Sequence, residues 1–240
     1  MDYRLVVIGA AGHAGVVLGE IVRFPQVRFV ATAPSFQGED VAGHLRAVNP
    51  HGLPRLYDDW RHMLDAERPD IVTVCGRFDL NAPLAMEAAR RGCHVISDKP
   101  AAQTLEDLDA LRSAIAERSV QYAMMLVMRY EPAYFTAHQL VRQGLIGEPF
   151  LVSAQKSYRW GASRPAFYGV REQYGSTMTW VGIHAFDYAQ WVAGIQYTDV
   201  FAYHANKVHT ERPGCQDVAT VIAGLANGGS AVFNLDYLRP

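Results

Sequence analysis

The sequence predicts an α/β protein: an N-terminal, doubly wound parallel sheet, followed by an α+β domain with an open, mostly antiparallel sheet. Up to about residue 122, short apolar runs alternate with amphipathic stretches of helical period. This alternation is typical of a parallel sheet covered by helices on both faces. Beyond that point the apolar runs lengthen and a hairpin signal appears. We therefore predict two domains, residues 1–122 and 123–240.

In the first domain each predicted strand is followed by a predicted helix. The strands are short runs rich in apolar and β-branched residues, at 5–8, 27–33, 71–75, 94–97 and 120–125. Apolar residues recur at helical spacing over 13–22, 58–65, 82–91 and 105–117, which we predict to be the helices. This order favours a parallel sheet with helices on both of its faces.

The second domain is predicted to contain fewer helices and longer strands. Helices are expected over 132–143, with Gly144 near the end, and over 182–192, closed by Gly194. Strands are expected over 150–156, 197–207, 217–225 and 231–237. Asn227-Gly228-Gly229 predicts a hairpin between the last two. The chain ends directly after a strand, which indicates a compact or shortened second domain.

Composition limits the possible partners. The chain has 240 residues, half of them hydrophobic, a formal net charge of -2 and no block of Lys or Arg. Nucleic acid and membrane partners are therefore not expected, and a small-molecule substrate is. The apolar stretch 5–22 is interrupted by His13, Glu20 and glycines, and its N-terminal flank is hardly basic, which favours a cytoplasmic protein. Cys75, Cys93 and Cys215 are expected to be free thiols, with no metal site.

A glycine-rich turn follows the first strand and opens the first helix. It reads Gly9-Ala10-Ala11-Gly12-His13-Ala14-Gly15. In this context the backbone amides of such a turn approach a pyrophosphate, so all seven residues are predicted to bind NAD or NADP in a Rossmann domain. The alternative is a tight turn that binds nothing.

The second strand does not reveal which of the two cofactors is used. An acid that binds the ribose 2′-hydroxyl is expected about 20 residues after the glycine turn. Residues 31–35 contain no acid, and no arginine follows to hold a 2′-phosphate. We expect cofactor contacts at Pro34 and Ser35, and after the third predicted strand at Cys75, Gly76 and Arg77. The choice between NAD and NADP stays open.

Asp98, Lys99 and Pro100 stand at the end of the predicted strand 94–97. Ligands bind at the carboxyl ends of strands in a doubly wound sheet, where a lysine can donate to a substrate oxygen or relay a proton. Asp98 could hold the ammonium or a ribose hydroxyl, and Pro100 fixes the turn. Spacing alone favours another interpretation, an exposed lysine in a loop with Thr104 capping the next helix.

Several motifs together resemble the Gfo/Idh/MocA family of oxidoreductases. They are the glycine turn and the segments 92–100 (GCHVISDKP), 128–130 (MRY), 144–147 (GLIG) and 182–187 (GIHAFD). The resemblance implies a Rossmann domain joined to an open α/β domain, and oxidation or reduction of a sugar or polyol hydroxyl with NAD(H) or NADP(H). Asp98-Lys99-Pro100 is similar to the family's E-K-P motif, which implies that Lys99 is catalytic.

The resemblance also implies that His184 is catalytic. The family commonly has an aspartate four residues before this histidine, where this sequence has Trp180. Asp187, three residues after His184, is a candidate to orient the imidazole, or only to favour the helix N-terminus. Lys99 and His184 come from different domains, so they would reach one substrate oxygen only if the cleft lies between the domains.

An aromatic-rich loop spans residues 156–180. Apolar ring faces beside arginines suit a sugar, although an oligomer contact explains the composition nearly as well. The predicted substrate-binding residues are Arg129, Tyr130, Trp160, Trp180, His184 and Asp187. For Arg129, a structural pairing with Glu131 is the alternative.

The sequence is therefore interpreted as an NAD(P)-dependent dehydrogenase or reductase that acts on CH-OH groups. It would transfer a hydride between a nicotinamide cofactor and a hydroxyl or ketone of a sugar, polyol or related small molecule. One alternative is a nucleotide-binding sensor of the same fold with impaired catalysis. Another alternative is a reductase acting on dihydropyridine-type acids, but this alternative does not explain the presence of Gly182-Ile183-His184. A homodimer or homotetramer through the C-terminal sheet is expected.

Overall fold

The computed structural model describes residues 2–48, 54–161 and 164–240. Contacts divide the chain into two compact units, Met1–Met125 and Leu126–Pro240. The first unit thus extends beyond residue 122, at which the sequence analysis places the boundary, because the last strand of its sheet ends at Met124. In the described part of the chain, no helix is both long and apolar enough to cross a membrane.

The first unit contains a six-stranded sheet in which every pair of neighbours is parallel. Its strands are β1 Tyr3–Ile8, β2 Val27–Ala33, β3 Arg55–Leu56, β4 Ile71–Val74, β5 His94–Ser97 and β6 Tyr122–Met124. The spatial order is β3-β2-β1-β4-β5-β6. This is the order of a Rossmann sheet, so the fold prediction is confirmed. The strand order reverses between β1 and β4, where ligands of such sheets bind.

Among the described residues, five α-helices connect these strands. They are α1 Ala14–Glu20, α2 Val41–Val48, α3 Trp60–Glu67, α4 Asn81–Arg90 and α5 Leu105–Arg118. The Asp59 side chain accepts from the amides of Arg61 and His62 at the start of α3, and Thr104 accepts from Asp107 at the start of α5. These caps explain why both helices begin where they do. The sequence analysis did not predict β3 or α2.

Both faces of the first sheet are buried by helices, and side chains point alternately to the two faces along each strand. Val6 and Ile8 pack on one side with Met63 of α3. Val7 packs on the other side with Leu18 of α1. Each such apolar side chain contributes about 1.5–3 kcal/mol when fully buried. The core thus holds the carboxyl ends of the strands in fixed positions.

The second unit contains a four-stranded sheet of order β7-β10-β9-β8. Its strands are β7 Leu151–Arg159, β8 Tyr197–Ala205, β9 Val218–Leu225 and β10 Ser230–Arg239, and its helices are α6 Pro132–Arg142, α7 Arg171–Tyr174 and α8 Ile183–Ala193. Only β7 and β10 are parallel, so the sheet is mostly antiparallel, as predicted. The hairpin between β9 and β10 is confirmed: the Leu225 amide donates to the Gly229 carbonyl at 2.9 Å, and Gly228 has a φ of 84°.

One face of this second sheet is buried against α8. Residues of β9 and β10 that point to this face are buried, among them Val221 and Phe233, and they pack with Ala185 and Ala189 of α8. A π-helical turn, Met178–Gly182, leads directly into α8. A Cβ on Gly182 would lie 2.6 Å from Leu235 Cδ1, so a glycine lets this turn approach β10.

Candidate functional site

Four consecutive residues at the end of β5 are buried: Ser97, the last residue of the strand, and Asp98, Lys99 and Pro100, which follow it. Only 1% of Lys99 is exposed, so the interpretation of an exposed lysine in a surface loop is wrong. A buried ammonium is costly unless charged or polar groups compensate it. A lysine kept at this depth at the carboxyl end of a Rossmann strand is therefore a functional candidate.

The Asp98 carboxylate links the β5 end to the glycine turn. Its Oδ2 accepts from the His13 amide at 2.8 Å, and its Oδ1 lies 3.0 Å from His13 Nδ1 and accepts from the Lys99 amide at 2.8 Å. Burial alone would raise the pKa of Asp98, but the hydrogen bond from His13 and the charges of His13 and Lys99 lower it. Asp98 is thus an ionised group between the glycine turn and Lys99.

Two glycines of the turn are required by close approach to neighbouring strands. A Cβ on Gly12 would lie 1.6 Å from Asp98 Oδ2. Gly9 has a φ of 79°, and a Cβ there would lie 2.6 Å from the Cys75 carbonyl oxygen. The glycine pattern predicts close approach of a pyrophosphate, but contacts within the protein already require both glycines.

The amides of the turn divide into two groups. Those of Gly9 and Ala11 donate to the carbonyls of Ala33 and Cys75, both at 2.9 Å, and fix the turn between β2 and β4. The amides of Ala14 and Gly15 begin α1, where N–H groups have no intrahelical acceptor. Such donors beside a glycine cradle fit a dinucleotide pyrophosphate.

The sequence analysis missed Glu39. This residue lies in the loop between β2 and α2, and its Oε1 accepts from the Ala10 amide of the glycine turn at 2.9 Å. Its Oε2 accepts from both the amide and the hydroxyl of Ser35, at 2.6 and 2.7 Å. The structure therefore places a carboxylate beside the end of β2, where the sequence offered none.

The segment after β4 supports the lysine from another side. Asn81, the buried first residue of α4, donates through Nδ2 to the carbonyl of Pro100 at 3.3 Å and that of Asp98 at 3.5 Å.

Burial raises the pKa of the Cys75 thiol well above its ordinary value, and the charges of Asp98 and Glu39 raise it further. Cys75 is thus an uncharged thiol against the glycine turn.

In the second unit, His184 is the second residue of α8 and is 5% exposed. Trp180, four residues earlier on the π-helical turn, is also buried. Asp187 binds the guanidinium of Arg129: Nε donates to Oδ2 at 2.8 Å, and Nη2 donates to Oδ1. This hydrogen bonding raises the pKa of Arg129. The structure pairs Arg129 with Asp187 and not with Glu131.

Most rings of the aromatic loop pack among themselves. Phe167, Tyr168, Tyr174 and Trp180 are buried. The Tyr174 hydroxyl lies 3.0 Å from that of Tyr237 on β10, and Arg164 lies over the Tyr237 ring at 4.9 Å. Trp160 stacks on His209, with ring centroids 4.7 Å apart, and stays partly exposed. Tyr130 is 79% exposed. Of the predicted aromatic substrate residues, Trp160 and Tyr130 present ring surface to solvent.

Comparison with known protein families agrees with this architecture. Residues 3–126 match an oxidoreductase family with an NAD-binding Rossmann fold, and residues 134–240 match the GFO/IDH/MocA C-terminal domain. The two matches lie in the two units of the structure. The chain belongs to the Gfo/Idh/MocA oxidoreductase family, as its motifs predicted.

Individual relatives include sugar and polyol dehydrogenases. The chain is 30% identical to D-apiose dehydrogenase of Paraburkholderia graminis, over 80% of this chain and 51% of that protein. It is 25% identical to inositol 2-dehydrogenase 2 of Paenarthrobacter aurescens, over 100% of this chain and 70% of that protein. A solved Thermotoga maritima structure described as an oxidoreductase is 35% identical, with a TM-score of 0.93 over 99% of this chain and 72% of that one. The chain spans about half the length of several curated relatives it matches.

Proposed function

We propose that this chain is an NAD(P)-dependent dehydrogenase or reductase that acts on a hydroxyl or ketone of a sugar, polyol or related small molecule. The observation that carries the proposal is the buried Lys99 at the carboxyl end of β5, next to Asp98, whose carboxylate accepts from the amides of both Lys99 and His13 of the glycine turn. Dehydrogenases for such substrates among the relatives support the substrate class.

In this proposal the nicotinamide, when bound, takes up or delivers the hydride. Lys99 handles the proton: in oxidation its amine accepts the hydroxyl proton as the carbonyl forms, and in reduction its ammonium returns that proton to the oxygen. Asp98 keeps a negative charge beside Lys99 and so favours the ammonium. Asn81 holds the backbone on both sides of the lysine and thereby restricts its position.

The cofactor would bind along the glycine turn, Gly9 to Gly15, with further contacts at Pro34, Ser35, Cys75, Gly76, Arg77 and Asp98. Gly76 and Ser35 lie close together, since a Cβ on Gly76 would be 3.2 Å from Ser35 Cβ, so these two proposed contacts belong to one place. The amides that begin α1 would meet the pyrophosphate.

His184 is proposed as a second catalytic residue, on the family resemblance and its burial on α8. Trp160 and Tyr130 are proposed as substrate contacts because their rings are accessible. Arg129, Asp187 and Trp180 keep the substrate-binding assignment as a proposal, although Arg129 and Asp187 bind each other. His184→Asn should lower turnover less than loss of Lys99 if the lysine alone carries the proton.

The decisive experiment replaces Lys99 with methionine, which removes the ammonium and keeps the length of the side chain. On the best substrate from a sugar and polyol panel, Lys99→Met should lower kcat about 100-fold or more, the usual size of an acid/base contribution. NADH affinity should change little. Lys207→Met is the matched control: this lysine is exposed, so the same substitution there should leave kcat unchanged.

Unimpaired kcat in Lys99→Met would overturn the catalytic assignment. Tight NADH binding without turnover on the whole panel would instead support a sensor with impaired catalysis. That alternative is favoured by the buried Trp180, which stands where the family commonly has an aspartate.

We also propose that the chain forms a homodimer or homotetramer through the second sheet. The β8 side chains are exposed along most of the strand, and those of Phe201 and Tyr203, which point to the face opposite α8, are 70% and 64% exposed. Ile222 of β9 pairs with Phe201 and is also exposed. A contiguous apolar sheet face of this kind usually marks a protein interface, and a second copy of the chain is the partner that a symmetric oligomer supplies.

A cytoplasmic location is proposed from the cysteines. Cys75, Cys93 and Cys215 are all free and buried. Free thiols are the usual state in a reducing compartment. Burial raises the pKa of Cys93 to about 11, so this thiol stays protonated and unreactive at neutral pH.

A further inference from the structure

We infer that Glu39 is the residue that selects the cofactor, and that the chain prefers NAD(H) over NADP(H). The inference rests on the proposed function only in requiring that a nicotinamide dinucleotide binds at the glycine turn. NADP differs from NAD by a phosphate on the adenosine ribose 2′-oxygen, so the groups at the end of β2 decide between the two.

The position of Glu39 follows from the sheet order. β2 lies next to β1, and the glycine turn follows β1 directly. The Glu39 carboxylate spans these two neighbours, because one oxygen binds the Ala10 amide of the turn and the other binds Ser35 just beyond β2. This is the place where an acid of a Rossmann domain meets the ribose hydroxyls.

The backbone carries Glu39 back to this position after leaving β2. The Glu39 amide donates to the Phe36 carbonyl at 3.3 Å, and Gly38 between them has a φ of 88°. The Glu39 carbonyl accepts from the Val41 amide at 3.0 Å at the start of α2. Backbone hydrogen bonds to residues before and after Glu39 therefore fix its backbone, from which the carboxylate reaches the glycine turn.

The carboxylate has capacity for one further donor. A carboxylate offers about four lone-pair sites. Three N–H or O–H groups occupy it: the Ala10 amide, the Ser35 amide and the Ser35 hydroxyl. A ribose hydroxyl can supply a fourth hydrogen bond. A 2′-phosphate has no such donor to offer when ionised and would bring about two negative charges next to the carboxylate.

Arg77 is a candidate to attract a phosphate in this region, but the carboxylate of Asp79 already binds its guanidinium. Arg77 Nε donates to Asp79 Oδ1 at 2.6 Å and Nη2 donates to Asp79 Oδ2 at 2.8 Å, while the guanidinium lies over the Phe36 ring at 5.2 Å. The pKa of Arg77 is raised first by Asp79 and also by the charge of Glu39. Two carboxylates and one guanidinium leave this region with a net negative charge, which disfavours a 2′-phosphate.

The test measures binding, without any substrate. NADH and NADPH are titrated into the wild-type chain by fluorescence, and ADP-ribose and 2′-phospho-ADP-ribose by calorimetry. We expect the wild type to bind the ligand without the 2′-phosphate about tenfold more tightly or better in both pairs, as expected for a like-charge clash of about 1.4 kcal/mol. Glu39→Gln keeps the shape of the side chain and removes its charge. It should reduce several-fold both affinity ratios, NADH over NADPH and ADP-ribose over 2′-phospho-ADP-ribose.

Asp40→Asn is the matched control. Asp40 is the adjacent carboxylate, and its Oδ1 accepts from the Gly43 amide at 2.8 Å, a bond that asparagine can retain. Asp40→Asn should leave both affinity ratios unchanged. This result would separate the local effect of the Glu39 charge from the effect of a change in net charge. Thermal unfolding of each variant checks that the loop is intact.

The outcomes are distinguishable. A wild type that binds NADPH as tightly as NADH, or more tightly, overturns the inference and leaves dinucleotide binding standing. A wild type that prefers NADH, but with ratios that Glu39→Gln does not change, overturns the role of Glu39. Failure of the wild type to bind either cofactor overturns the proposed function and, with it, the inference.

Discussion

The Asp98 carboxylate fills the space where Gly12 has no side chain: a Cβ on Gly12 would lie 1.6 Å from Asp98 Oδ2. The same carboxylate oxygen accepts from the His13 amide, the next residue of the turn. Asp98 is also buried, so it has little room to move away. The glycine turn and the lysine segment are therefore packed as one structure, and a change in one should be felt in the other.

The first prediction compares two glycine-to-alanine changes in the same region. Gly12→Ala should lower the free energy of unfolding by about 1–3 kcal/mol, as overpacking does in a tight site. Gly19→Ala lies within α1, with no atom within 4 Å of the added Cβ, and should raise stability by about 0.4–1 kcal/mol. Urea unfolding of both variants measures the difference. Equal stability of the two variants would contradict the packing of Asp98 against Gly12.

The main features of the fold could be predicted from sequence because they depend on local patterns. The strand His94–Ser97 and the hairpin glycine Gly228 were found in this way. β3 was missed because two residues show no periodicity.

The support around the site depends on contacts between residues distant in sequence, which local patterns do not reveal. His13 and Asp98 are 85 positions apart. Glu39 and Ala10 are 29 positions apart in the sequence. An acid that binds the ribose is expected only about 20 residues after the glycine turn, so the spacing does not point to Glu39. The depth of Lys99 likewise follows from packing, and spacing alone favoured an exposed lysine. Motif resemblance identified the lysine, but not the groups that hold it.

The second prediction concerns stability and pH in the second unit. Asp217 is buried, and its Oδ2 accepts from the amides of Lys207, Val208 and His209. Burial alone would raise the pKa of Asp217, but the three amides lower it below its ordinary value. The carboxylate therefore stabilises the fold above the unfolded pKa, about 3.9, and the contribution is lost as pH falls through the folded pKa.

Asp217→Asn should accordingly cost about 1–3 kcal/mol of unfolding free energy at pH 7. The difference from the wild type should shrink as pH falls below about 4, because the wild type then loses the charge as well. Urea unfolding at pH 7, 5 and 3 measures it, with Asp199→Asn, an exposed carboxylate of β8, as the control. A difference that is constant over this range would rule out the ionised carboxylate as its source.

The third prediction asks whether Arg129 and Asp187 act as a structural pair. Their bidentate contact joins the segment before α6 to α8, with the side chains 39% and 9% exposed. A double-mutant cycle with Arg129→Met and Asp187→Asn should give a coupling energy of about 1 kcal/mol in urea unfolding. Additive effects on stability, together with a raised KM in Arg129→Met, would instead favour binding of substrate by Arg129.

The fourth prediction tests the proposed oligomer interface on the second sheet. The register aligns Phe201 of β8, Ile222 of β9 and Val232 of β10 in one row across the sheet. Their side chains lie on the face opposite α8, because the alternate residues Val221 and Phe233 pack with that helix. A charge placed in this row should oppose burial of the face, since an unpaired buried charge is strongly unfavourable.

Phe201→Glu should therefore shift the chain from dimer or tetramer to monomer in light scattering at micromolar concentration. Phe24→Glu is the control, because Phe24 is also exposed, at 49%, but belongs to the first unit and not to this sheet. It adds the same charge and should leave the oligomer intact. The sheet face is already exposed in a single chain, so Phe201→Glu should not lower the unfolding free energy of the monomer. A wild type that scatters as a monomer would refute the interface, whereas dissociation by both variants would indicate a general effect of charge.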